Sequence, residues 1–219
     1  MDEFFRWQWA LDHLEEIRIQ GLEHLQLTFL AVAIGLAISF PLSVYAYRHR
    51  WFYGPLTVVT GILYTIPSLA LFALLTPFTG LSFTTAEIAL VGYTLLILIR
   101  NIVAGLSGVP TDVREAAIGM GYSKRQLLWR VELPLALPVI AAGIRIATVT
   151  TIGLVTVTAL IGQGGFGYFI LLGLSRFFST ATVLGAVLSI ALAVIADQLL
   201  LMLERRLSPW ASSVGVEGA

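Results

Sequence analysis

The chain has 219 residues, of which 58% are hydrophobic and 12% charged, and its mean hydropathy is +0.89. Soluble domains are about half apolar and about a quarter charged, so this composition excludes an ordinary water-soluble protein. A net charge of zero gives no bulk attraction to nucleic acid, and the absence of cysteine excludes disulfides and thiolate chemistry. The scattered histidines His13, His24 and His49 do not suggest a metal cluster.

The first twenty residues lack the pattern of a secretory signal, because Asp2 and Glu3 stand where such a signal needs positive charge. Apolar and aromatic residues alternate with charged ones over 3–20, which predicts an amphipathic helix at the membrane interface. A frayed terminus is the alternative. We therefore divide the chain into an N-terminal segment 1–21, a transmembrane domain 22–207 and a cytoplasmic tail 208–219.

Five apolar stretches are long enough to cross a bilayer, which requires about 20 residues. They cover 24–46, 56–78, 86–107, 135–160 and 181–203. Lipid requires main-chain polar groups to be satisfied within each segment, so all five are predicted helices. Pro41, Pro67 and Pro138 are expected to kink them. The predicted fold is an all-α, polytopic membrane helical bundle with about five transmembrane helices.

The basic residues indicate an orientation for these spans. With the N-terminus outside, the inside loops contain Arg48, Arg50, Arg114, Lys124, Arg125, Arg130, Arg205 and Arg206. The outside segments contain Arg6, Arg18 and Arg176. This eight-to-three excess predicts a multi-pass protein of a prokaryotic cytoplasmic membrane, with the N-terminus outside and the C-terminus cytoplasmic.

The longest inside loop, 108–134, is predicted to contain two short helices. Asp112 and Glu115 have the spacing of a capping box that starts the first, and Gly121 is the left-handed residue that ends it. Ser123 and Gln126 repeat the spacing and start a second helix, which we expect to end near residue 133. Alanines at 116 and 117 leave a face with little side chain, suited to close approach by another protein.

This loop also carries a specific pattern. It consists of Glu115-Ala116-Ala117, three residues, Gly121, nine residues, Val131, one residue, and Leu133-Pro134. The pattern resembles the EAA loop of binding-protein-dependent ABC importer permeases of the type I fold. The resemblance implies that Asp112, Glu115, Ala116, Ala117, Gly121, Leu133 and Pro134 belong to a cytoplasmic coupling helix that docks on an ATPase. Alternatively, Glu115 is only a capping residue and the alanines are only good helix formers.

Residues 64–72, 131–145 and 161–167 resemble the osmoprotectant branch of that family. The resemblance implies a permease for glycine betaine, carnitine or choline, delivered by an external binding protein. A permease of the same type for another small polar solute, such as an amino acid, is the alternative. A secondary transporter and a non-transporting membrane scaffold are competing classes, and the EAA loop argues against both.

The chain is predicted to be a transport subunit and not an enzyme. It contains no G-x-x-x-x-G-K-[ST] loop for phosphate, and its single lysine, Lys124, lies in the inside loop. We therefore expect no cofactor in this chain, with ATP and Mg bound by a partner ATPase. The expected partners are cytoplasmic ABC ATPase subunits, a second permease subunit in a homo- or heterodimer, the external binding protein and membrane lipid, with no nucleic acid.

Polar residues within the spans give two further candidate sites. Thr148, Thr151 and Thr158 share a helical face, which either lines the translocation path or bonds carbonyls one turn back. Ionisable groups in spans are costly and usually pair or face a protein interior. Arg100, Arg145 and Asp197 are predicted to form a structural clamp between spans three, four and five, with substrate contact as the alternative.

A glycine-rich segment follows the fourth span. Gly162, Gly164, Gly165 and Gly167 permit tight turns and close approach by another chain. They are a candidate outer gate, with a plain loop as the alternative. Residues 168–178 are apolar but too short to span, so a re-entrant or interfacial helix is expected there.

Overall fold

A computed structural model of the chain describes residues 5–212, and all regular structure within that range is helical. The first half contains α1 (Trp7–Asp12), α2 (Leu14–Arg48), α3 (Arg50–Thr65), α4 (Ser68–Thr79) and α5 (Phe83–Ser107). The second half contains α6 (Thr111–Gly119), α7 (Lys124–Leu127), a π-helical segment (Leu128–Glu132), α8 (Leu133–Thr158), α9 (Gly167–Ser175) and α10 (Ser179–Leu207). Short 3₁₀ turns cover Ala159–Ile161 and Pro209–Ser212.

Four helical stretches are long and apolar enough to cross a membrane, and a bent pair makes a fifth crossing if it is counted as one span. The four are Leu14–Arg48, Phe83–Ser107, Lys124–Ile161 and Ser179–Leu207. The prediction of an all-α bundle with about five transmembrane helices is therefore confirmed.

The second predicted span is not one helix. Residues 56–78 belong to α3 and α4, which meet at an angle of 96°. The break falls at Ile66 and Pro67, where proline disfavours helical backbone at the residue before it. Tyr93 of α5 donates its hydroxyl to the Ile66 carbonyl at 2.6 Å, so the freed main-chain oxygen has a partner. Pro67 was expected to kink this span, and it ends one helix and starts another.

The N-terminal prediction also needs correction. The chain does not form one helix over 3–20: α1 ends at Asp12, and α2 then continues without interruption into the first span. The predicted boundary between residues 21 and 22 falls inside α2, without a helix break. Trp9 of α1 packs edge-on against Phe169 and Phe178, which fixes α1 near α9 and the start of α10. Residues 1–4 and 213–219 of the predicted terminal segments lie outside the described range.

The most buried span is α5, which packs most extensively against α2 and α8. Small residues allow these close contacts, as is usual between helices in membranes. A Cβ at Gly35 of α2 would overlap the Thr94 side chain, and one at Gly143 of α8 would overlap Asn101. In contrast, α10 lies at the edge of the bundle and has the fewest buried residues of the four long spans.

Contacts at the helix ends define two ends of the bundle. The start of α2 meets the glycine-rich segment, and its last turn meets the loop 108–134 through a bond from Arg48 to the Lys124 carbonyl. Consequently α2, α5 and α10 run toward the end that holds this loop, and α8 runs back. We call these the loop end and the opposite end.

His24 joins three elements at the opposite end. Its Nδ1 accepts a hydrogen bond from the Phe166 N–H at 3.1 Å, and its Nε2 lies 3.0 Å from the Ile152 carbonyl. Since one nitrogen accepts and the other donates, this is the pattern of a neutral imidazole. The side chain is fully buried. His24 therefore ties α2 to α8 and to the glycine-rich segment.

We expect His24→Ala to lower the thermal unfolding midpoint of the purified protein in detergent. The change leaves the Phe166 N–H buried without an acceptor, which costs about 1–3 kcal/mol. His49→Ala is the matched control, because His49 is exposed and its ring, among residues 5–212, has a hydrogen-bond partner one helix turn back, the Tyr45 carbonyl. Equal midpoints for the two variants would show that His24 does not hold these elements together.

Candidate functional site

The loop 108–134 begins with α6, but the predicted N-cap is wrong. The helix starts at Thr111 after Pro110, and its N-cap makes no side-chain hydrogen bond, so Asp112 lies within the first turn. An acidic side chain in the first turn still stabilises the helix, because it lies near the positive end of the helix dipole. The second capping box is confirmed. Ser123 accepts from the Gln126 N–H at 3.4 Å, and Gln126 accepts from the Ser123 N–H at 2.8 Å.

Gly121 terminates α6 as predicted. Its φ is +85°, in the left-handed region that favours glycine. The Tyr122 N–H donates to the Ala117 carbonyl at 3.1 Å, and the Gly121 N–H donates to the Ile118 carbonyl at 2.9 Å. This pair of bonds is a Schellman motif, which satisfies carbonyls left free at a helix end.

The second helix does not end near residue 133. From Lys124 it continues through the π-helical segment into α8, so Leu133 and Pro134 lie inside a continuous helix and not at the end of a loop. Pro134 has no N–H for the carbonyl four residues earlier, and its ring crowds that carbonyl. The wider π turn lies directly before this proline, where it relieves the crowding.

The two alanines of the motif do not share a face. Ala116 is exposed beside exposed Glu115, whereas Ala117 is 2% exposed and packs inward. The prediction of one small face formed by both alanines is therefore wrong. Of the three residues Glu115-Ala116-Ala117, the first two are exposed, and Ala117 is buried where α6 lies close to its own bundle.

An ionic group beneath α6 was missed by the sequence analysis. Glu132 is 4% exposed, and its carboxylate accepts from the Tyr47 hydroxyl at 2.7 Å and lies 3.3 Å from Arg114 Nε. Arg114 of α6 also donates to the Leu106 carbonyl at 2.6 Å and lies over the Tyr47 ring. These contacts join α6 to α2, α5 and the π-helical segment. The available signal was Glu132 itself, an acid directly before an apolar span.

A second ionic network lies between α8 and α10, nearer the loop end. Arg145 Nε is 2.9 Å from Asp197 Oδ1, and its Nη2 is 3.1 Å from Oδ2, which is a bidentate pair. Arg145 Nη1 also lies 3.2 Å from Glu204 Oε2. The three side chains remain 19–29% exposed. Arg145 and Asp197 thus form the ion pair that the clamp prediction requires.

Arg100 does not belong to this network. It is exposed, and within the described residues it forms no ion pair, so the prediction of a clamp from α5 is wrong. The third member of the network is Glu204 of α10, which pairs with Arg145. The available signal was its position seven residues after Asp197, which places both carboxylates on one face of α10.

The threonines of α8 fit the non-functional alternative better. Thr151 and Thr158 are buried, and their hydroxyls donate to the carbonyls of Ala147 and Val155 in their own helix. Thr148 is half-buried and makes the same type of bond to Ile144. Hydroxyls satisfied in this way need no substrate. The translocation-path prediction for them stays a prediction.

The glycine-rich segment forms a tight turn against α2. Gly162 and Gly165 have φ of +76° and +97°. A Cβ at Gly167 would overlap the main chain of Thr156, and the Gly165 N–H donates to the Gln20 side chain at 2.8 Å. The short helix expected over 168–178 is α9, which packs along the first turns of α10. The role of these glycines as an outer gate stays a prediction.

The Arg145 network yields a stability test. Arg145→Met removes the partner of two carboxylates, whereas Asp197→Asn leaves Arg145 paired with Glu204. Stranding a buried charge costs about 3–5 kcal/mol, and we expect roughly half of that because these groups are partly exposed. Arg145→Met should therefore lower folded yield and thermal stability more than Asp197→Asn, and the double variant should recover part of the loss.

Arg100→Met is the control for the same measurements, because it also removes one arginine from a span but breaks no ion pair within the described residues. A substrate role forecasts a different result. In that case both single variants would unfold as the parent does and lose transport, and the double variant would recover nothing.

Known proteins with similar sequences belong to the family that the pattern in the loop 108–134 resembles. The family described as the binding-protein-dependent transport system inner membrane component matches residues 21–209. The osmoprotectant import permease protein OsmW of Salmonella typhimurium is 37% identical over 206 residues, covering 92% of this chain and 96% of that protein. The choline transport system permease protein OpuBB of Bacillus subtilis is 36% identical over 194 residues, with 89% of each chain covered.

A third relative is the glycine betaine/carnitine/choline permease OpuCB of Bacillus subtilis, 36% identical over 187 residues and covering 85% of this chain and 86% of that protein. Among solved structures, the inward-facing MetNI methionine ABC transporter gives a TM-score of 0.77 at 22% identity, covering 89% of this chain and 97% of that one.

An amino acid ABC transporter determined with histidines gives a TM-score of 0.76 at 18% identity, covering 92% of this chain and 98% of that one. At these identities the structures show the fold alone, and the family match and the sequence relatives show the membership. The chain belongs to the binding-protein-dependent inner membrane components, the multi-pass permease subunits of ABC importers.

Proposed function

We propose that this chain forms the translocation path of an ABC importer for small osmoprotectants such as glycine betaine, carnitine or choline. The observation that carries the proposal is its 36–37% identity, over most of its length, to permeases named for osmoprotectants, choline, carnitine and glycine betaine. The alternative of an amino-acid permease has support only from structures at 18–22% identity, a level at which fold is shared and substrate is not.

The proposed orientation places the loop end in the cytoplasm and the start of α2 outside. Eight basic residues lie in segments at the loop end and three at the opposite end, in keeping with the positive-inside rule. In this orientation Glu115 and Ala116 on α6 face the cytoplasmic ATPase. An external binding protein would then meet the glycine-rich segment.

The proposed assembly contains two permease subunits and two ATPases. ABC ATPases sandwich two nucleotides at their interface, so two permease surfaces are needed about a twofold axis. The second permease is either a copy of this chain or a related one. ATP and Mg would bind the ATPases, and this chain would contribute the coupling helix and the path.

Uptake into vesicles tests the proposal. The full complex, with its ATPase and binding protein, should accumulate labelled choline, glycine betaine or carnitine in an ATP-dependent manner, and should not accumulate labelled histidine or methionine. A complex with Walker-lysine-substituted ATPase is the control for leakage. If the complex takes up an amino acid in an ATP-dependent manner and takes up none of the three osmolytes, the substrate proposal is wrong. The family membership would be unaffected by that result.

The unequal burial of the motif alanines gives a second test. Ala116→Trp places a bulky group on the exposed face of α6, so it should reduce co-purification of the ATPase and leave thermal stability of the permease unchanged. Ala117→Trp is the matched variant, because overpacking a buried site costs about 1–3 kcal/mol and should lower stability instead. If Ala116→Trp retains full ATPase binding and substrate-stimulated ATP hydrolysis, this surface is not the docking site.

A further inference from the structure

A cleft of about 500 Å³ lies at the opposite end of the bundle, between α2, the start of α5 and the glycine-rich segment. Its polar and aromatic lining consists of Gln20, Glu23, Gln26, Gln163, Phe83 and Tyr168. Neither lysine nor arginine is among the described residues that line it. The described lining therefore combines one carboxylate, three amides and two aromatic rings.

Glu23 is the unpaired charge in this cleft. Its side chain is exposed, and within residues 5–212 it takes part in no hydrogen bond or ion pair. It lies so close to the glycine-rich segment that a Cβ at Gly164 would overlap its carboxylate. The nearby Arg18 on α2 is already paired with Glu15. The carboxylate is thus available to a cation that enters the cleft.

The two aromatic residues lie on different elements of the cleft wall. Phe83 begins α5 and is 38% exposed, and Tyr168 lies in the first turn of α9 and is 36% exposed. The nearby Glu16 carboxylate and burial raise the pKa of Tyr168, whereas Arg176 acts in the opposite direction, so a second carboxylate and one arginine lie near the cleft. Accessible aromatic faces attract quaternary ammonium groups through their electron-rich centres.

A further carboxylate lies one helical turn deeper. Glu87 follows Phe83 by four residues, so the two share a face of α5. Glu87 is 7% exposed, and neither of its oxygens has a hydrogen-bond partner within the described residues. A bare carboxylate in a membrane span is costly, so its charge needs a proton or a cation.

The packing register of α2 and α5 places a second unpaired oxygen at about the same depth in the bundle as Glu87. Gly35 of α2 contacts Thr94 of α5, and these helices run in the same direction. Thr28 and Glu87 each precede those residues by seven positions, so they lie at the same depth on facing sides. The Thr28 hydroxyl is also buried without a partner. Leu27, the neighbour of Thr28, lines the cleft, and so does Phe83, one helical turn before Glu87 on α5.

We propose that this cleft is a transit site for a quaternary ammonium group, with Glu23 at its mouth and Glu87 one turn deeper. The inference rests on the proposed function and adds a location and a charge preference to it. Attraction comes from carboxylates and aromatic faces in a described lining that contains neither lysine nor arginine, so a cationic solute such as choline gains more than zwitterionic glycine betaine, whose own carboxylate is repelled. The path within the permease thereby discriminates between solutes that one binding protein delivers.

The test compares maximal uptake rates for choline and glycine betaine in vesicles that hold the complete complex with saturating binding protein. Glu23→Gln and Glu87→Gln keep side-chain size and remove the charge. We expect each to lower the ratio of choline to glycine betaine rates about fivefold, because one partly desolvated charge contact with the cation is lost. Half-saturating solute concentrations should stay unchanged, since the binding protein sets them.

Glu15→Gln is the matched control, because it removes the same charge from the same helix at a residue that does not line the cleft. A purely structural role for Glu87 predicts an altered thermal unfolding midpoint in Glu87→Gln with an unchanged rate ratio. If the parent transports both solutes and the ratio stays within twofold in both variants, the transit site is wrong and the proposed function stands. A parent that transports neither solute overturns the proposed function, and the transit site with it.

Discussion

The hydrocarbon core offers no water to main-chain groups, so each break in a helix of this bundle needs a partner from elsewhere in the fold. The structure meets this need with side chains from other helices. Tyr93 caps the Ile66 carbonyl at the break between α3 and α4, and Arg114 caps the Leu106 carbonyl at the end of α5. At the opposite end Gln20 and His24 accept from the glycine-rich segment. The same bonds that satisfy the main chain therefore hold the elements in register.

This constraint explains what could be predicted from the sequence. Span number and helical class follow from apolar length alone, and the Schellman turn at Gly121 and the capping box at Ser123 follow from local residue chemistry. The sequence did not predict that Lys124–Ile161 is one continuous helix, because a proline such as Pro134 normally indicates a helix start. The π turn that accommodates Pro134 has no sequence signature. The burial of Ala117 depends on where α6 lies against the bundle, which local pattern does not determine.

Partner choice among charged residues was equally hard to predict. Arg145 and Asp197 are ionisable residues in the middle of predicted spans, and their pairing could be predicted because few other charged residues lie within the spans. Arg100 was expected in this network, and Glu204 occupies that position. Packing sets the rotation of each helix, so Arg100 of α5 is exposed and Glu204 of α10, seven residues after Asp197, reaches Arg145. Glu132 and Arg114 lie 18 positions apart in sequence and meet only because α6 folds back beneath the span. Such contacts are consequences of the tertiary fold.

Four carboxylates of the membrane-spanning helices and one of the π-helical segment differ in whether an arginine neutralises them. Toward the loop end Glu132 pairs with Arg114, which connects α6 to the spans, and Asp197 and Glu204 pair with Arg145, which connects α8 to α10. A stiff connection is what transmits displacement, because a pull on α6 reaches α2, α5 and α8 through Arg114 and Glu132. At the opposite end Glu23 and Glu87 have no partner within the described residues. Unsatisfied carboxylates there leave electrostatic free energy to be gained by a visiting cation, whereas the paired carboxylates at the loop end leave less.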